Sequence, residues 1–438
     1  MSALAWTAVA SLAAWAWLLL GQGFFWRTDQ RLPPHGEPES WPDVAVVVPA
    51  RDEAAMLPLS LPSLLHQDYP GRARIVLVDD DSSDGTGDTA RALAVRYGGL
   101  PLSVVCPGEP DPGWTGKLWA LRHGMAAAGV EADGPERPKE PEKPKEPKEP
   151  ERPERPERPE RPERPERPPE YLLLTDADIA HAPDSLRALV ASARAHRLDL
   201  VSQMARLRVE SGWERLVVPA FVYFFCQLYP FRRVNRHGAR TAAAAGGCVL
   251  LRAEAAVRAG VPGSIRQAVI DDVSLARAVQ RSGGRIWLGL ADGVRSVRPY
   301  PRPADLWRMV SRSAYTQLRY SPALLAGTVA GLALVYLVPP VALFAGLAGG
   351  DAVAAWSGGG AWAVMTATYL PMLRYYRLTP SLALPLPFTA LLYLLMTLDS
   401  AGRHHLGRGA SWKGRRYARP RAAPESAGPG AAAEHARS

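Results

Sequence analysis

From about residue 43 the hydrophobic and polar positions follow an α/β pattern, in which short apolar runs alternate with helical stretches. The apolar runs Val44–Val48, Ile75–Val78 and Tyr171–Leu174 each end in acidic or small polar residues. Helical stretches lie between them, including Ala54–Gln67 and Thr86–Arg96. This alternation predicts a mainly parallel sheet with helices on both faces. Such sheets bind ligands at the carboxyl ends of their strands.

The N-terminus begins with a different pattern, an uninterrupted apolar stretch. Residues 3–25 carry no charge and are long enough to span ~30 Å of hydrocarbon. No Lys or Arg precedes the stretch, whereas Arg27 and Arg31 follow it, which is the opposite of a cleaved signal peptide. Residues 1–25 are therefore predicted to be an uncleaved membrane anchor, and the positive-inside rule places the α/β region, residues 40–300, in the cytoplasm.

The C-terminal part of the chain is apolar again. Residues 322–349, 352–373 and 380–398 are three further membrane candidates within a block at 321–400. Three full crossings would place the basic tail, residues 401–438, outside the cell. We therefore expect an even number of crossings, which makes the chain a multi-pass protein of the cell membrane with a cytoplasmic tail.

Charge is concentrated in that tail. Residues 403–438 hold eight Lys or Arg against two Asp or Glu, whereas the net charge of the whole chain is +9. The basic balance therefore describes a disordered tail and not a surface that reads nucleic acid, and we expect no nucleic-acid partner.

A low-complexity insertion at residues 131–170 interrupts the α/β pattern. Glu, Lys, Arg and Pro alternate there, and the triplet Glu-Arg-Pro repeats six times from Glu151 to Pro168. Proline at every third position forbids helix and sheet and favours polyproline II. The insertion is therefore predicted to be a solvated, disordered spacer inside the α/β region.

Acidic residues follow two of the predicted strands. Asp176 and Asp178 come directly after Tyr171–Leu174, where paired carboxylates can share a hard divalent cation or can simply cap a turn. Asp79, Asp80 and the next aspartate follow Ile75–Val78. A capped turn does not explain three adjacent aspartates, which repel each other unless a ligand uses them, so a ribose or base is a candidate partner.

Two helix starts carry further candidate groups. Lys117 follows a glycine at the start of a predicted helix, where it could meet a diphosphate or could be merely solvated. Asp271 and Asp272 open an amphipathic helix. One aspartate would suffice as a helix cap, so the second is a candidate general base.

Taken together and in this order, these segments resemble the inverting glycosyltransferases of family 2, which have the GT-A fold. The matching segments cover residues 43–275, and they are Val48-Pro-Ala-Arg-Asp-Glu53, Val78-Asp-Asp-x-Ser82, Gly116-Lys117-x-x-Ala-Leu121, Asp176-x-Asp178 and Asp271-Asp272. With apolar segments at both ends, the chain looks most like the hopene-associated membrane glycosyltransferases. The resemblance implies an α/β, Rossmann-like mixed sheet with transmembrane helices at both termini.

The resemblance also implies roles for individual residues. Ala50, Glu53, Asp79 and Asp80 are expected to contact the nucleotide of a nucleotide-sugar donor, usually a UDP-sugar, with Lys117 nearby. Asp176 and Asp178 are expected to hold Mg²⁺ or Mn²⁺ on the diphosphate. Asp272 is expected to deprotonate the acceptor, beside Asp271.

The sequence departs from the family pattern at two places. Asp271 stands where the family usually has Glu, which leaves the acceptor side looser. The Gln-x-x-Arg-Trp motif of processive synthases is absent, and the expected interfacial segment at 301–320 offers Arg308, Arg312, Gln317 and Arg319 instead. These residues could bind lipid head groups or a diphosphate. The departure favours transfer of one sugar to a lipid acceptor over polymer synthesis.

Other functions remain open on the sequence alone. The acceptor could be a hopanoid or related isoprenoid lipid, a polyprenyl phosphate or another glycolipid precursor. A nucleotidyltransferase with a related sheet would need neither a base at Asp272 nor a membrane block. A membrane scaffold with a relic transferase domain would need none of the carboxylates.

Overall fold

The computed structural model describes residues 1–131 and 167–406, together with the backbone of two short strands further on. Those strands, Ser411–Trp412 and Arg415–Arg416, pair antiparallel. The insertion expected at residues 131–170 and the basic tail expected at 401–438 lie almost entirely outside the described residues, so these two expectations stay predictions.

An eight-stranded sheet forms the centre of the described part of the chain. Its strands are β1 (Val44–Ala50), β2 (Ala73–Asp79), β3 (Leu102–Val105), β4 (Tyr171–Thr175), β5 (Ile179–His181), β6 (Leu200–Arg206), β7 (Cys248–Arg252) and β8 (Ile286–Ser296). In space they follow the order β3-β2-β1-β4-β7-β6-β8-β5.

The sheet is mixed. Strands β3, β2, β1 and β4 pair in parallel, as do β6 and β8, whereas β7 is antiparallel to both β4 and β6, and β5 is antiparallel to β8. The apolar pattern alone predicted a mainly parallel sheet, and that holds for the first four strands. The family resemblance, which implied a mixed sheet, describes the whole better.

Helices cover both faces of the sheet. One face packs on α2 (Leu57–Leu65), α3 (Thr86–Tyr97) and α5 (Ser185–His196), and the other on α4 (Gly116–Ala127), α6 (Gly212–Leu228) and α9 (Asp271–Arg281). Short helices α7 (Phe231–Val234) and α8 (Ala253–Arg258) lie between these elements in the chain. Successive side chains of β1 lie on opposite faces of the sheet. Val46 and Val48 pack in the hydrophobic core on the α2 face, and Ala45 and Val47 pack in the core on the α4 face.

The remaining helices form a bundle against the second face. They are α1 (Ala3–Leu20), α10 (Pro303–Ser311), α11 (Ala314–Gln317), α12 (Pro322–Leu332), α13 (Val338–Gly349), α14 (Ala352–Tyr375) and α15 (Leu386–His405), with a single π-helical turn at Ala333–Leu337 between α12 and α13. The first helix packs on the C-terminal ones, because Trp15 Nε1 donates to the carbonyl of Val335 at 2.7 Å and the Trp15 ring meets Tyr336 edge-on.

Tyrosines join the bundle to the rest of the described chain. The hydroxyls of Tyr223 on α6 and Thr368 on α14 lie 2.8 Å apart. Tyr375 Oη donates to the carbonyl of Ala291 on β8 at 2.6 Å. The bundle and this face of the sheet therefore share one hydrophobic core.

Within the described residues, two helical segments are long and apolar enough to cross a membrane, judged by length and composition. They are Ala3–Leu20 and Pro322–Gly349, which correspond to the anchor and to the first C-terminal candidate. The other two candidates are helical as α14 and α15 but are not among them. Helix α15 carries Asp399 and Arg403, and α14 buries many small and polar residues against its neighbours, so neither is a uniformly apolar surface.

Candidate active site

The topology brings the predicted site residues to one edge of the sheet. Strands β1, β2 and β4 are parallel, so Ala50, Asp79 and Asp176 lie at their adjacent carboxyl ends. Strand β7 runs the other way, so the residues that precede it, Gly246 and Gly247, reach the same edge. This is the edge at which α/β sheets bind ligands.

Lys117 lies at the centre of the acidic residues. Its Nζ is 2.9 Å from Asp176 Oδ1 and 3.0 Å from Asp271 Oδ2, so one ammonium links the end of β4 to the start of α9. Burial lowers the pKa of Lys117, but the two carboxylates outweigh that effect and raise it above its ordinary value. Lys117 is therefore charged and is not merely solvated.

The Asp272 carboxylate accepts two backbone hydrogen bonds. Gly246 N donates to Oδ2 at 3.0 Å and Val273 N donates to Oδ1 at 2.7 Å. Burial and the neighbouring charge of Asp271 raise the pKa of Asp272 to about 7, against the lowering effects of Lys117 and the two amides. A carboxylate with that pKa can take up a proton near neutral pH.

Gly246 lies beside both the lysine and the aspartate. A Cβ at position 246 would lie 3.4 Å from Asp272 Cβ and 3.5 Å from Lys117 Nζ, which are ordinary van der Waals distances. Lys117, Asp176, Asp271 and Asp272 line one cavity with this glycine.

Asp178 pairs with an arginine that the sequence pattern did not single out. Arg298 Nε donates to Asp178 Oδ2 at 2.7 Å, and Arg298 Nη2 donates to both carboxylate oxygens of Glu53 at 2.6 Å. These ion pairs outweigh the opposing effect of burial and raise the pKa of Arg298. Arg298 thus joins the expected nucleotide residue Glu53 to the expected metal residue Asp178.

The aspartates after β2 also have a partner within the chain. Arg51 Nη1 lies 3.7 Å from the buried Asp80 Oδ2 and 4.0 Å from Asp81 Oδ2, and it donates to the carbonyl of Asp80. Asp79 Oδ1 accepts from Ser82 N at 3.1 Å. Arg51 therefore offsets part of the repulsion among the three adjacent aspartates, and a ligand for them stays a prediction.

Two residues of the expected interfacial segment at 301–320 have different surroundings. Arg308 is exposed and pairs with Asp305 of its own helix at 2.5 Å. Gln317 instead points inward and donates from Nε2 to the hydroxyl of Tyr229. Burial mainly raises the pKa of Tyr229, and the charge of Asp272 adds to that effect.

Among the described residues, no group of three or more His, Cys, Asp or Glu side chains has the arrangement of a metal site. The Asp176–Asp178 turn therefore offers at most two carboxylates. Burial raises the pKa of Asp176, and the charges of Asp178 and Asp271 add to that effect while Lys117 opposes it. A further cation near Asp176 would relieve this repulsion.

The class of this protein, a mixed α/β sheet with acidic strand ends, is given by its match to a family of glycosyltransferases. The sequence profile of the family described as "Glycosyltransferase like family 2" matches residues 42–316. This is more than half of the chain, and the chain belongs to that family.

Individual relatives are more distant. "Probable glycosyltransferase YdaM" of Bacillus subtilis (strain 168) is 34% identical over 86 residues, which are 19% of this chain and 20% of that protein. The matched region thus spans about a fifth of the relative's length.

Among solved structures, the mannosyltransferase PcManGT from Pyrobaculum calidifontis, in complex with GDP-Man and Mn²⁺, has a TM-score of 0.48 at 19% identity. The similarity covers 91% of this chain and 99% of that one. TarS of S. aureus has a TM-score of 0.37 at 15% identity, covering 62% of this chain and 40% of that one.

Proposed function

We propose that this glycosyltransferase is a membrane-bound, inverting enzyme that moves one sugar from a nucleotide-sugar, in the first instance a UDP-sugar, to a lipid acceptor. The observation that carries the proposal is the pair of charge clusters at one sheet edge. Lys117 with Asp176 and Asp271 forms one, and Arg298 with Asp178 and Glu53 forms the other. A donor with a nucleoside at one end, a diphosphate in the middle and a sugar at the other end matches such an elongated polar edge.

At the nucleotide end, the proposed contacts are Ala50, Glu53, Asp79 and Asp80. The family resemblance assigns them, and their position at the ends of β1 and β2 supports the assignment. Asp80 is fully buried, so it fits a contact through its neighbours better than a direct one. Glu53 is held by Arg298 and by its own amide, which donates to Thr86 Oγ1 at 2.8 Å.

At the diphosphate, Asp176 and Asp178 would be the residues that hold Mg²⁺ or Mn²⁺, because carboxylate oxygens are the ligands that these hard cations prefer. About a third of the Asp176 side chain is exposed to the cleft, whereas Asp178 is more deeply set beside Arg298. When bound, the cation would stabilise the negative charge that develops on the departing nucleoside diphosphate. Lys117 lies close enough to contribute to the same task.

On the acceptor side, Asp272 is the proposed base. As the acceptor oxygen forms its bond to the anomeric carbon, its proton moves to a carboxylate oxygen of Asp272, and the bond to the diphosphate breaks with its electron pair. Attack from the face opposite the leaving group inverts the anomeric carbon. Lys117 keeps Asp271 occupied at 3.0 Å, which leaves Asp272 as the proton acceptor of the pair.

The proposal of a lipid acceptor is supported by the apolar helices that share a hydrophobic core with one face of the sheet. Ala3–Leu20 and Pro322–Gly349 are apolar, and large side chains on them are exposed, including Trp6, Trp17, Phe344 and Leu347. Side chains of this kind fit the hydrocarbon of a bilayer. Helices α10 and α11 follow β8 in the chain and precede α12, so the sheet that carries the site leads directly into the apolar helices. The proposed link to hopanoid or related isoprenoid lipids rests on the sequence resemblance.

The test is a transfer assay on the full-length protein in detergent with Mn²⁺, total lipid extract and a panel of labelled UDP- and GDP-sugars. We expect one donor to release its nucleoside diphosphate and to leave label in the lipid phase. Label in a long polymer would favour a synthase, and formation of a sugar nucleotide from a nucleoside triphosphate would favour a nucleotidyltransferase. No turnover of any donor would favour a scaffold and overturn the proposal.

A further inference from the structure

A buried histidine lies directly behind the two carboxylate-bearing segments of the site. His181, the last residue of β5, is 5% exposed, and its Nε2 lies 2.9 Å from Thr175 Oγ1. Thr175 Oγ1 donates in turn to the carbonyl oxygen of Gly247 at 2.8 Å. The hydroxyl of Ser185 lies 3.4 Å from the other ring nitrogen, Nδ1. No step of the proposed mechanism uses any of these groups.

The hydrogen-bond directions in this series of groups are fixed by counting protons. The Thr175 hydroxyl has one proton, which goes to the Gly247 carbonyl, because a carbonyl can only accept. Nε2 of His181 must then donate to Thr175. Burial lowers the pKa of His181 to about 4, so the ring is neutral and its Nδ1 accepts from the Ser185 hydroxyl.

These hydrogen bonds lie where the pairing between β4 and β7 ends. Thr175 pairs with Cys248 as the last residue pair between β4 and β7. Beyond it, β4 continues into Asp176, while the chain before β7 turns away through Gly247 and Gly246 toward α9. The Thr175 hydroxyl holds the Gly247 carbonyl at this point of divergence.

The held segment also carries the amide that binds the candidate base. Gly246 N donates to Asp272 Oδ2 at 3.0 Å, one residue before the carbonyl that Thr175 holds. Thr175 is likewise one residue before Asp176. We infer that Thr175, oriented by His181, is a positioning residue that fixes the Gly246 amide on Asp272 and so holds the base in register with the carboxylate turn on β4.

This role of Thr175 adds to the role proposed for Asp272. The inference rests on the proposed function only where it concerns catalysis. The charged and titratable groups that face Asp272 are Asp271 on the same helix, Lys117 on α4 and Tyr229 after α6. None of them is altered by a change at Thr175, so a change in the behaviour of Asp272 would report on the Gly246 amide.

The test compares two substitutions. Thr175→Val keeps the shape of the side chain and removes its hydroxyl, whereas Thr175→Ser keeps the hydroxyl. Thr368→Val is the matched control, because Thr368 is a buried threonine whose hydroxyl also makes two hydrogen bonds, to Tyr223 and to the Met365 carbonyl, on α14 outside the site. All variants are made in the full-length chain in detergent. A second variant, His181→Leu, removes the donor to Thr175 in case Thr175→Val does not fold.

The first readout needs no substrate. In hydrogen exchange, the Gly246 amide should exchange about tenfold faster in Thr175→Val and His181→Leu, while the amides of Leu250 and Leu251 in β7 keep their protection. Thr175→Ser and Thr368→Val should leave the Gly246 amide unchanged. Wild-type protection of Gly246 in Thr175→Val, or equal loss of protection across β7, would overturn the inference whether or not the protein is an active transferase.

The second readout is the pH profile of nucleoside diphosphate release from a labelled donor, with water as the acceptor. Loosening the amide should move the profile's midpoint upward by about half a unit to one unit in Thr175→Val, and Thr175→Ser should restore it. A midpoint that stays at the wild-type value while the rate falls would mean a merely structural role. Absence of turnover in wild type would contradict the proposed function instead and leave the exchange result to decide this inference.

Discussion

At the scale of single residues, the unusual property of the site is a carboxylate that is poised near neutral pH. Burial and Asp271 raise the pKa of Asp272 to about 7. As a base it must be deprotonated, so kcat/KM for transfer should rise about tenfold per pH unit below 7 and level off above it. A pH profile between about 5.5 and 9, with samples returned to neutral pH to verify stability, measures this. A rate that is flat across the neutral range would contradict the assignment.

A second prediction at this scale concerns Asp178. Asp178→Ala should abolish the gain in nucleotide affinity that Mn²⁺ gives, because one of the two proposed carboxylate ligands is lost. Calorimetry of UDP and GDP binding with and without Mn²⁺ measures the effect. Asp184→Ala is the control, since Asp184 is exposed and its side chain makes no capping hydrogen bond at the start of α5. Equal affinity with and without Mn²⁺ in the wild type would mean a metal-free site.

Whether the sequence could predict a site residue depends on whether that residue stands beside a predicted strand end or helix start. Asp176, Asp178, Asp271 and Asp272 stand next to strand ends and helix starts, so local pattern located them. Arg298 was missed because its partners lie 120 and 245 residues away, and nothing local separates it from the chain's other arginines.

At the scale of secondary-structure elements, the position of Lys117 depends on how closely α4 lies on the sheet. A Cβ at Gly124 would overlap Val47 and lie 2.8 Å from Val78 Cγ2. Gly124→Ala should therefore push α4 off β1 and β2 and cost about 1–3 kcal/mol of stability. Thermal unfolding in detergent measures it, together with a loss of donor turnover.

The matched control for this prediction is Gly402→Ala. Gly402 is a helical glycine in α15, and the space that an alanine Cβ would occupy there is open, so alanine should be neutral or stabilise by up to ~1 kcal/mol. An equal effect of both substitutions would show that packing of α4 on the sheet is not what Gly124 provides.

The elements were predictable where neighbours in sequence are neighbours in space. β1, β2 and β4 were found with their helices, and so was the helix that begins at Asp271. The pairing of β7 between β4 and β6, and of β5 with β8, joins segments that are far apart in the chain, as Ser202 to Val249 and Ile179 to Ser296 illustrate. Apolar pattern carries no information on such pairs, because it gives the face of a strand and not its partner.

At the scale of the whole molecule, the insertion is the part with the least expected effect on the fold. Its flanking residues Glu131 and Pro168 line one surface cavity, so a short connection can join them. Residues 135–166 contain only Glu, Lys, Arg and Pro and can bury no apolar surface.

Replacing residues 135–166 with a short Gly/Ser turn should therefore leave the unfolding temperature and donor turnover unchanged, because loop-closure entropy depends only weakly on length. Both are measured in detergent and in cells, beside the unaltered chain. Loss of turnover in detergent would show that the insertion supports the site directly. Loss confined to cells would point to a partner or to the membrane surface.

The sheet and the helical bundle are also joined by a shared hydrophobic core. Trp15, Tyr223 and Tyr336 belong to the same cluster as the residues under β1 and β4. Because the sheet and the apolar helices share this core, the site stays close to those helices. Transfer to a lipid would need this arrangement.

The measurement that tests the account most directly is transfer of label from a nucleotide-sugar into lipid by wild type and by Asp272→Asn, with donor binding measured on the same samples. The substitution keeps the shape of the side chain and removes the base. The account predicts Mn²⁺-dependent label in the lipid phase for wild type and a loss of ~10²–10⁴-fold for Asp272→Asn, with donor affinity retained. Near-normal transfer by Asp272→Asn, or no transfer by wild type from any donor, would contradict it.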